Sequence, residues 1–172
     1  FFAGPLTCAQ IARAREAGLI DFDLVNPRDF STGRHQHVDD RPYGGGPGMV
    51  MMPDPLAAAL ASVAAPGRRL VLAPSGRPLT QAFARELARE PALTLVCGRY
   101  EGIDERLLEA EGLESVCVGE AVLNGGEAAA LCLVEAVASQ TARGPGGREG
   151  PGPAAARRLG RGERGGGGVG GR

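Results

Sequence analysis

Three short glycine-bearing segments hold the residues best suited to gripping a small ligand. They are Ala73-Pro74-Ser75-Gly76, Gly98-Arg99-Tyr100-Glu101-Gly102, and Val118-Gly119-Glu120-Ala121-Val122-Leu123-Asn124-Gly125-Gly126. Glycine lets a backbone approach a ligand closely and leaves N–H and C=O groups available to it. An adenine read by backbone groups suits such a place. Any one segment alone reads as an ordinary turn; three at one sheet edge read as a site. None has phosphate-binding spacing, since neither G-x-G-x-x-G between strand and helix nor G-x-x-x-x-G-K-[ST] occurs. The run Gly44-Gly45-Gly46-Pro47-Gly48 neither follows a strand nor opens a helix. Nucleoside triphosphates and nicotinamide cofactors are therefore poor matches.

A second polar cluster is His35-Gln36-His37-Val38-Asp39-Asp40-Arg41-Pro42-Tyr43. Two histidines and two aspartates could ligate a metal. The competing reading is a solvated loop whose aspartates orient arginines, and the absence of another spaced ligand favours it. Arg28, Arg34, Arg41 and Arg99 stand beside loop glycines, where arginine either grips phosphate bidentately or pairs with a local carboxylate. Phe30 and Tyr43 could stack on a base. No Gly-x-Ser-x-Gly elbow and no Cys/His pairing is present, which disfavours a hydrolase with a side-chain nucleophile. Cys97 and Cys132 lie on apolar stretches and are expected in the core.

The elements that must position these residues alternate between strand and helix. Residues 7–17 predict a helix capped by Thr7, with Ile11 and Ala14 inward and Gly18 as its stop. Residues 19–25 alternate apolar and polar and predict a half-buried strand. Residues 26–53 are a long loop, and Asp54-Pro55 predicts a helix start, cap then proline, running to about Ala65. Strands follow at 69–73, 92–97 and 114–118, and helices at 79–89, 104–111 and about 127–139. Continuous apolar strands alternating with helices predict an α/β fold, a parallel sheet covered on both faces. In such sheets ligands sit beyond the carboxyl ends of the strands, where the three glycine segments fall.

Composition bounds the function classes. The chain has 172 residues and a net charge of −1, which excludes binding to polyanions by bulk charge alone. No apolar run reaches the ~18 residues of a membrane span. Four cysteines without C-x-x-C spacing read as free thiols in a reducing cytoplasm. All 19 basic residues are arginine, which points to a GC-rich coding sequence. Residues 144–172 hold 13 of the 28 glycines and six arginines, and so predict a disordered tail. That tail reads either as an arginine–glycine segment that touches RNA or as the product of a frame shift. The first of these readings makes the chain a non-catalytic RNA-binding module.

Taken in order, four longer motifs are more specific. They are Asn26-Pro27-Arg28-Asp29-Phe30, His37 to Met49 (HVDDRPYGGGPGM), Cys97 to Arg106 (CGRYEGIDER), and Val122-Leu123-Asn124-Gly125-Gly126-Glu127. Over about residues 1–138 the chain resembles the bacterial tRNA (guanine-N1)-methyltransferases of the TrmD type, in the SPOUT class. The resemblance implies a parallel α/β sheet with a deep trefoil knot over residues 1–139, followed by the tail at 140–172. It implies a cytoplasmic homodimer that binds S-adenosylmethionine, requires magnesium, and methylates N1 of the guanosine 3′ of the tRNA anticodon, position 37.

Motif matches carry site residues across. Leu72, Ala73 and Pro74 match the first cofactor loop; Gly98, Tyr100, Glu101 and Gly102 match the second; Val118, Gly119, Glu120, Ala121, Val122, Leu123, Gly125 and Gly126 match the third. Asp39, Asp40 and Arg41, with Gly44, Gly45, Gly46 and Pro47, match the target-guanine side. Glu101 and Asp39 are the implied catalytic residues, Glu101 beside the sulfonium, where a carboxylate stabilises positive charge. Several positions depart from the pattern. Ala121 stands for a tyrosine, Glu120 for an aspartate, and Ser139 for an arginine that steadies charge on the base. The family's first strand, linker aspartate and second domain have no counterpart. These departures imply that the chain as written does not itself methylate tRNA.

Overall fold

The computed structural model describes residues 1–32, 37–41, 45, 48–99 and 102–141. In chain order its elements are α1 (Ala9–Glu16), β1 (Asp39–Asp40), β2 (Val50–Met51), α2 (Pro53–Ala61), β3 (Arg68–Pro78), α3 (Gln81–Leu87), β4 (Leu93–Val96), α4 (Glu105–Ala110), β5 (Glu114–Cys117) and α5 (Gly126–Thr141). Short 3₁₀ turns at Pro5–Thr7 and Pro27–Phe30 punctuate the first third.

The sheet is parallel, in the order β4-β3-β5. Successive side chains of a strand point to opposite faces, and both faces are covered here. Leu70 and Leu72 of β3 pack with Phe83 and Leu87 of α3 and with Ala129, Ala130 and Leu133 of α5. Val71, between them, faces the other way and packs with Leu56 and Leu60 of α2 and Leu107 of α4. Burial on two sides is why these strands read as unbroken apolar runs. A third cluster joins Leu6 and Ile11 to Ala138 on the outer side of α5.

Local signals set three helix ends. Helix α1 stops at Gly18 (φ 68°), where Leu19 N–H donates to Ala14 at 2.9 Å and Gly18 N–H to Arg15 at 2.9 Å, closing a Schellman motif. Thr80 caps α3 by accepting from Phe83 N–H at 3.2 Å, and Asp104 caps α4 by accepting from Arg106 N–H at 3.0 Å.

Four expectations are corrected. Thr7 is not the cap of α1: its hydroxyl donates back to Gly4 at 2.8 Å, and Cys8 takes the cap position with its thiol also turned back to Gly4, so no side chain caps the helix. Residues 19–25 form no strand. Ile20 and Phe22 do turn toward the α1/α5 cluster while Asp21 and Asp23 are exposed, but no element pairs with the segment among the described residues. Alternation reports a buried face, and a strand also needs a neighbour to bond. Helix α2 starts at Pro53 behind Met52 and ends at Ala61, so Asp54 sits in its first turn and caps nothing. Cys132 is exposed, whereas Cys97 is half-buried against the core. Tyr100, Glu101, Gly44, Gly46, Pro47, His35 and the tail from residue 142 lie outside the described residues.

Candidate functional site

The carboxyl edge of the sheet gathers the glycine segments. Strand β3 does not end where its apolar run ends. Leu72 and Arg77 both stand in register with Val116 of β5, so Ala73-Pro74-Ser75-Gly76 makes an excursion and the strand then resumes. Gly76 closes the excursion by lying flat on β5; a Cβ there would collide with the Ser115–Val116 backbone. Leu79 N–H donates to Cys117 at 2.7 Å, which ties the exit of the excursion to the end of β5.

The third segment starts from that same end of β5 and finishes on β4. Gly126 N–H donates to Gly98 at 2.7 Å, and Arg99 and Gly125 form an isolated bridge. Because β3 lies between β5 and β4, residues 118–125 connect the two outer strands of the sheet. Gly126 allows the docking, since a Cβ would stand 2.9 Å from Cys97 Cα. Arg99 Nε donates to Glu127 Oε1 at 2.6 Å and locks the second segment to the first turn of α5. Phe1, Arg99, Leu123, Gly125 and Glu127 line an open cleft of about 300 Å³ beside this lock.

The second segment also meets the polar loop. Asp39 pairs with Met51, and Met51 bridges Ile103 on its other side while its N–H donates to Gly102 at 3.1 Å. Asp39 therefore stands two strand spacings, about 10 Å, from the second segment. Asp40 is exposed, with its carboxylate accepting from Arg41 N–H at 2.7 Å, and Gly45 is exposed too. That bond is to the backbone of the next residue and orients no arginine side chain.

Exposure separates scaffold from surface at this edge. Leu72 is buried, and Ala73, Gly98, Gly102 and Val118 are half-buried. Gly119, Glu120, Ala121, Val122 and Leu123 are all exposed, Val122 to 80%. Gly102 and Gly119 have no atom within 4 Å of where a Cβ would stand. Open, backbone-lined space of this kind suits a nucleoside held by main-chain groups.

Electrostatics at the edge exclude one chemistry and support another. Burial, reinforced by Glu127, pushes the Cys97 thiol up to about 11, so it is protonated at neutral pH and no nucleophile. Asp104 is held down at about 2 by its hydrogen bonds from Arg106 and stays anionic as the α4 cap. Ser139 donates its hydroxyl to the Ala136 carbonyl at 2.8 Å, within α5. The residues that sequence reasoning passed over are Met51, which joins the polar loop to the second segment, and Arg77 and Glu86, which brace the first. Their partners are remote in sequence, and no local signal announced them.

A family model described as tRNA (Guanine-1)-methyltransferase TrmD matches residues 1–144. The tRNA (guanine-N(1)-)-methyltransferase of Oleidesulfovibrio alaskensis is 60% identical over 136 residues, which cover 79% of this chain and 32% of the relative. That of Nitratidesulfovibrio vulgaris is 59% identical over 137 residues, 80% of this chain and 32% of the relative. That of Pelotomaculum thermopropionicum is 51% identical over 142 residues, 80% of this chain and 57% of the relative. The chain spans 32–57% of the length of these curated relatives. With 144 of its 172 residues matched by one family model, the chain belongs to the tRNA (guanine-1)-methyltransferase TrmD family.

Proposed function

We propose that this chain forms the cofactor-binding part of an enzyme that methylates N1 of a guanosine in tRNA, the one 3′ of the anticodon at position 37. Family membership carries the reading, and the convergence of three glycine segments at one sheet edge supports it. S-adenosylmethionine, when bound, supplies a methyl group on a sulfonium. Guanine N1 holds a proton at neutral pH, so taking up that methyl group would also require a general base. An in-line displacement of this kind depends on positioning.

The chain's own residues divide that work. Backbone of 72–74, 98–102 and 118–126 cradles adenosine and methionine, with Gly102 and Gly119 providing the open wall. Glu101, by its motif match, would serve the sulfonium. Asp39, with Asp40, Arg41 and the 44–47 loop, holds the target guanine. The trefoil knot, the homodimer, the magnesium requirement and a cytoplasmic location belong to the same reading. No helix among the described residues is long and apolar enough to cross a membrane. Ser139 takes, by motif match, the place of the arginine that steadies charge on the base, so in this reading the chain binds cofactor without methylating tRNA.

Calorimetric titration of the 172-residue chain with S-adenosylmethionine tests the cofactor reading. Saturable one-site binding is expected, and a folded chain that takes up none overturns it. Incubation with tRNA and labelled cofactor tests the rest: no transfer is expected, and clear formation of N1-methylguanosine would overturn the assignment for Ser139.

A further inference from the structure

The excursion at Ala73–Gly76 is braced from outside by one side chain. The Arg77 guanidinium lies 3.7 Å from the centroid of the Phe83 ring, donates to Glu86 Oε2 at 2.9 Å, and reaches Glu114 Oε1 at 3.5 Å. Arg68 holds the same two acids, at 2.6 Å from Glu86 and 2.5 Å from Glu114. The acids therefore keep a cation if Arg77 is removed. Arg77 is also the more exposed of the two arginines, 47% against 23%. Exposed ion pairs add little to global stability. A planar cation seated on a ring and forked to a carboxylate does fix direction, and here it fixes the residue where the strand resumes.

We propose that Arg77, seated on Phe83 and forked to Glu86, is a positioning residue for S-adenosylmethionine: it sets the path of Ala73–Gly76. The inference rests on the cofactor reading above. Arg77 touches no cofactor atom; it acts through the backbone of the excursion. Without it the segment samples more conformations, and binding must reorder them. Reordering a single residue's backbone costs about a tenfold loss of affinity.

The test uses the full 172-residue chain with Arg77→Ala, Arg77→Lys and Glu86→Gln. Three quantities are read: the dissociation constant for S-adenosylmethionine, the thermal midpoint, and amide exchange at Ala73, Ser75 and Gly76. Arg77→Ala is expected to weaken binding about tenfold or more while its midpoint stays within about 3 °C. Exchange at the three amides rises while that of β4 holds. Arg77→Lys, which keeps charge but loses the planar stack, falls between. Unchanged affinity with unchanged exchange overturns the proposal, and so does a collapse of the midpoint with exchange rising across the whole sheet. If Arg77→Ala does not fold, Glu86→Gln is read by the same criteria. If the unaltered chain binds no cofactor, the cofactor reading fails by itself, and exchange at the three amides still decides whether Arg77 sets the excursion.

Discussion

Gly76 and Gly119 lie at the same carboxyl edge of the sheet in opposite surroundings. A Cβ at Gly76 would run into the backbone of β5, whereas at Gly119 it would meet nothing within 4 Å. The regions around them differ in the same way. Beside Gly76, Arg68, Arg77, Glu86 and Glu114 interlock over Phe83. Beside Gly119, five consecutive residues are exposed, including the apolar Val122 and Leu123. One region closes the scaffold, and the other leaves surface for something else to cover. Equal glycine content thus says little about role; what the missing Cβ would have met says more.

The largest effect breaks the comparison on the crowded side. Gly76→Ala forces β3 and β5 apart, and because the obstacle is backbone the expected loss is about 3 kcal/mol, at the upper end for overpacking. Urea denaturation checks it, and a variant as stable as the parent would mean that the seam gives way freely.

Acid sharpens the contrast less strongly. Hydrogen bonds from Arg77 and Arg68 hold Glu86 at about 2 against an ordinary 4.5, so its stabilisation is full above 4.5 and fades as pH falls toward 2. Asp104, also at about 2 against 3.8, fades over the lower part of that window. Thermal midpoints measured across it should fall with pH, and Glu86→Gln should flatten the upper part of the curve. An equal slope in that variant would remove Glu86 from the explanation.

The smallest stability effect is on the open side. Gly119→Ala should change unfolding free energy by no more than about 0.5 kcal/mol, because nothing is displaced. In the cofactor reading it still weakens binding of S-adenosylmethionine, since the new methyl group intrudes on the cradle. Parallel denaturation and calorimetry separate the two quantities, and unaltered binding would take Gly119 out of the cradle.

Much of the fold was legible because its signals are local. The runs at Leu70–Leu72, Leu93–Val96 and Glu114–Cys117 mark the three strands, and Thr80, Asp104 and Gly18 mark helix ends through bonds to residues two or three positions away. Where local signals misled, a partner was missing or misjudged. Residues 19–25 have the alternation of a strand but no neighbour to pair with among the described residues, and Asp54 has the chemistry of a cap but sits inside the first turn. The site was legible as motifs and glycine segments, though not as a connected surface. The contact of Met51 with Gly102 and Ile103, the lock of Arg99 on Glu127 and the brace of Arg77 on Glu86 and Glu114 join residues that propensity never compares.

By itself, then, the sequence determined the three sheet strands and the five helices to within a few residues, that the sheet is parallel and covered on both sides, and which family's motifs the chain bears. Those properties follow from side-chain periodicity and from short-range bonds, which act along the chain. Only the tertiary structure decided that β3 lies between β4 and β5, that it makes an excursion and resumes against Val116, and that Gly126 docks on Gly98. Those are steric and electrostatic agreements between surfaces that meet only after folding, and they settle which glycines must be bare and which are free to receive a ligand.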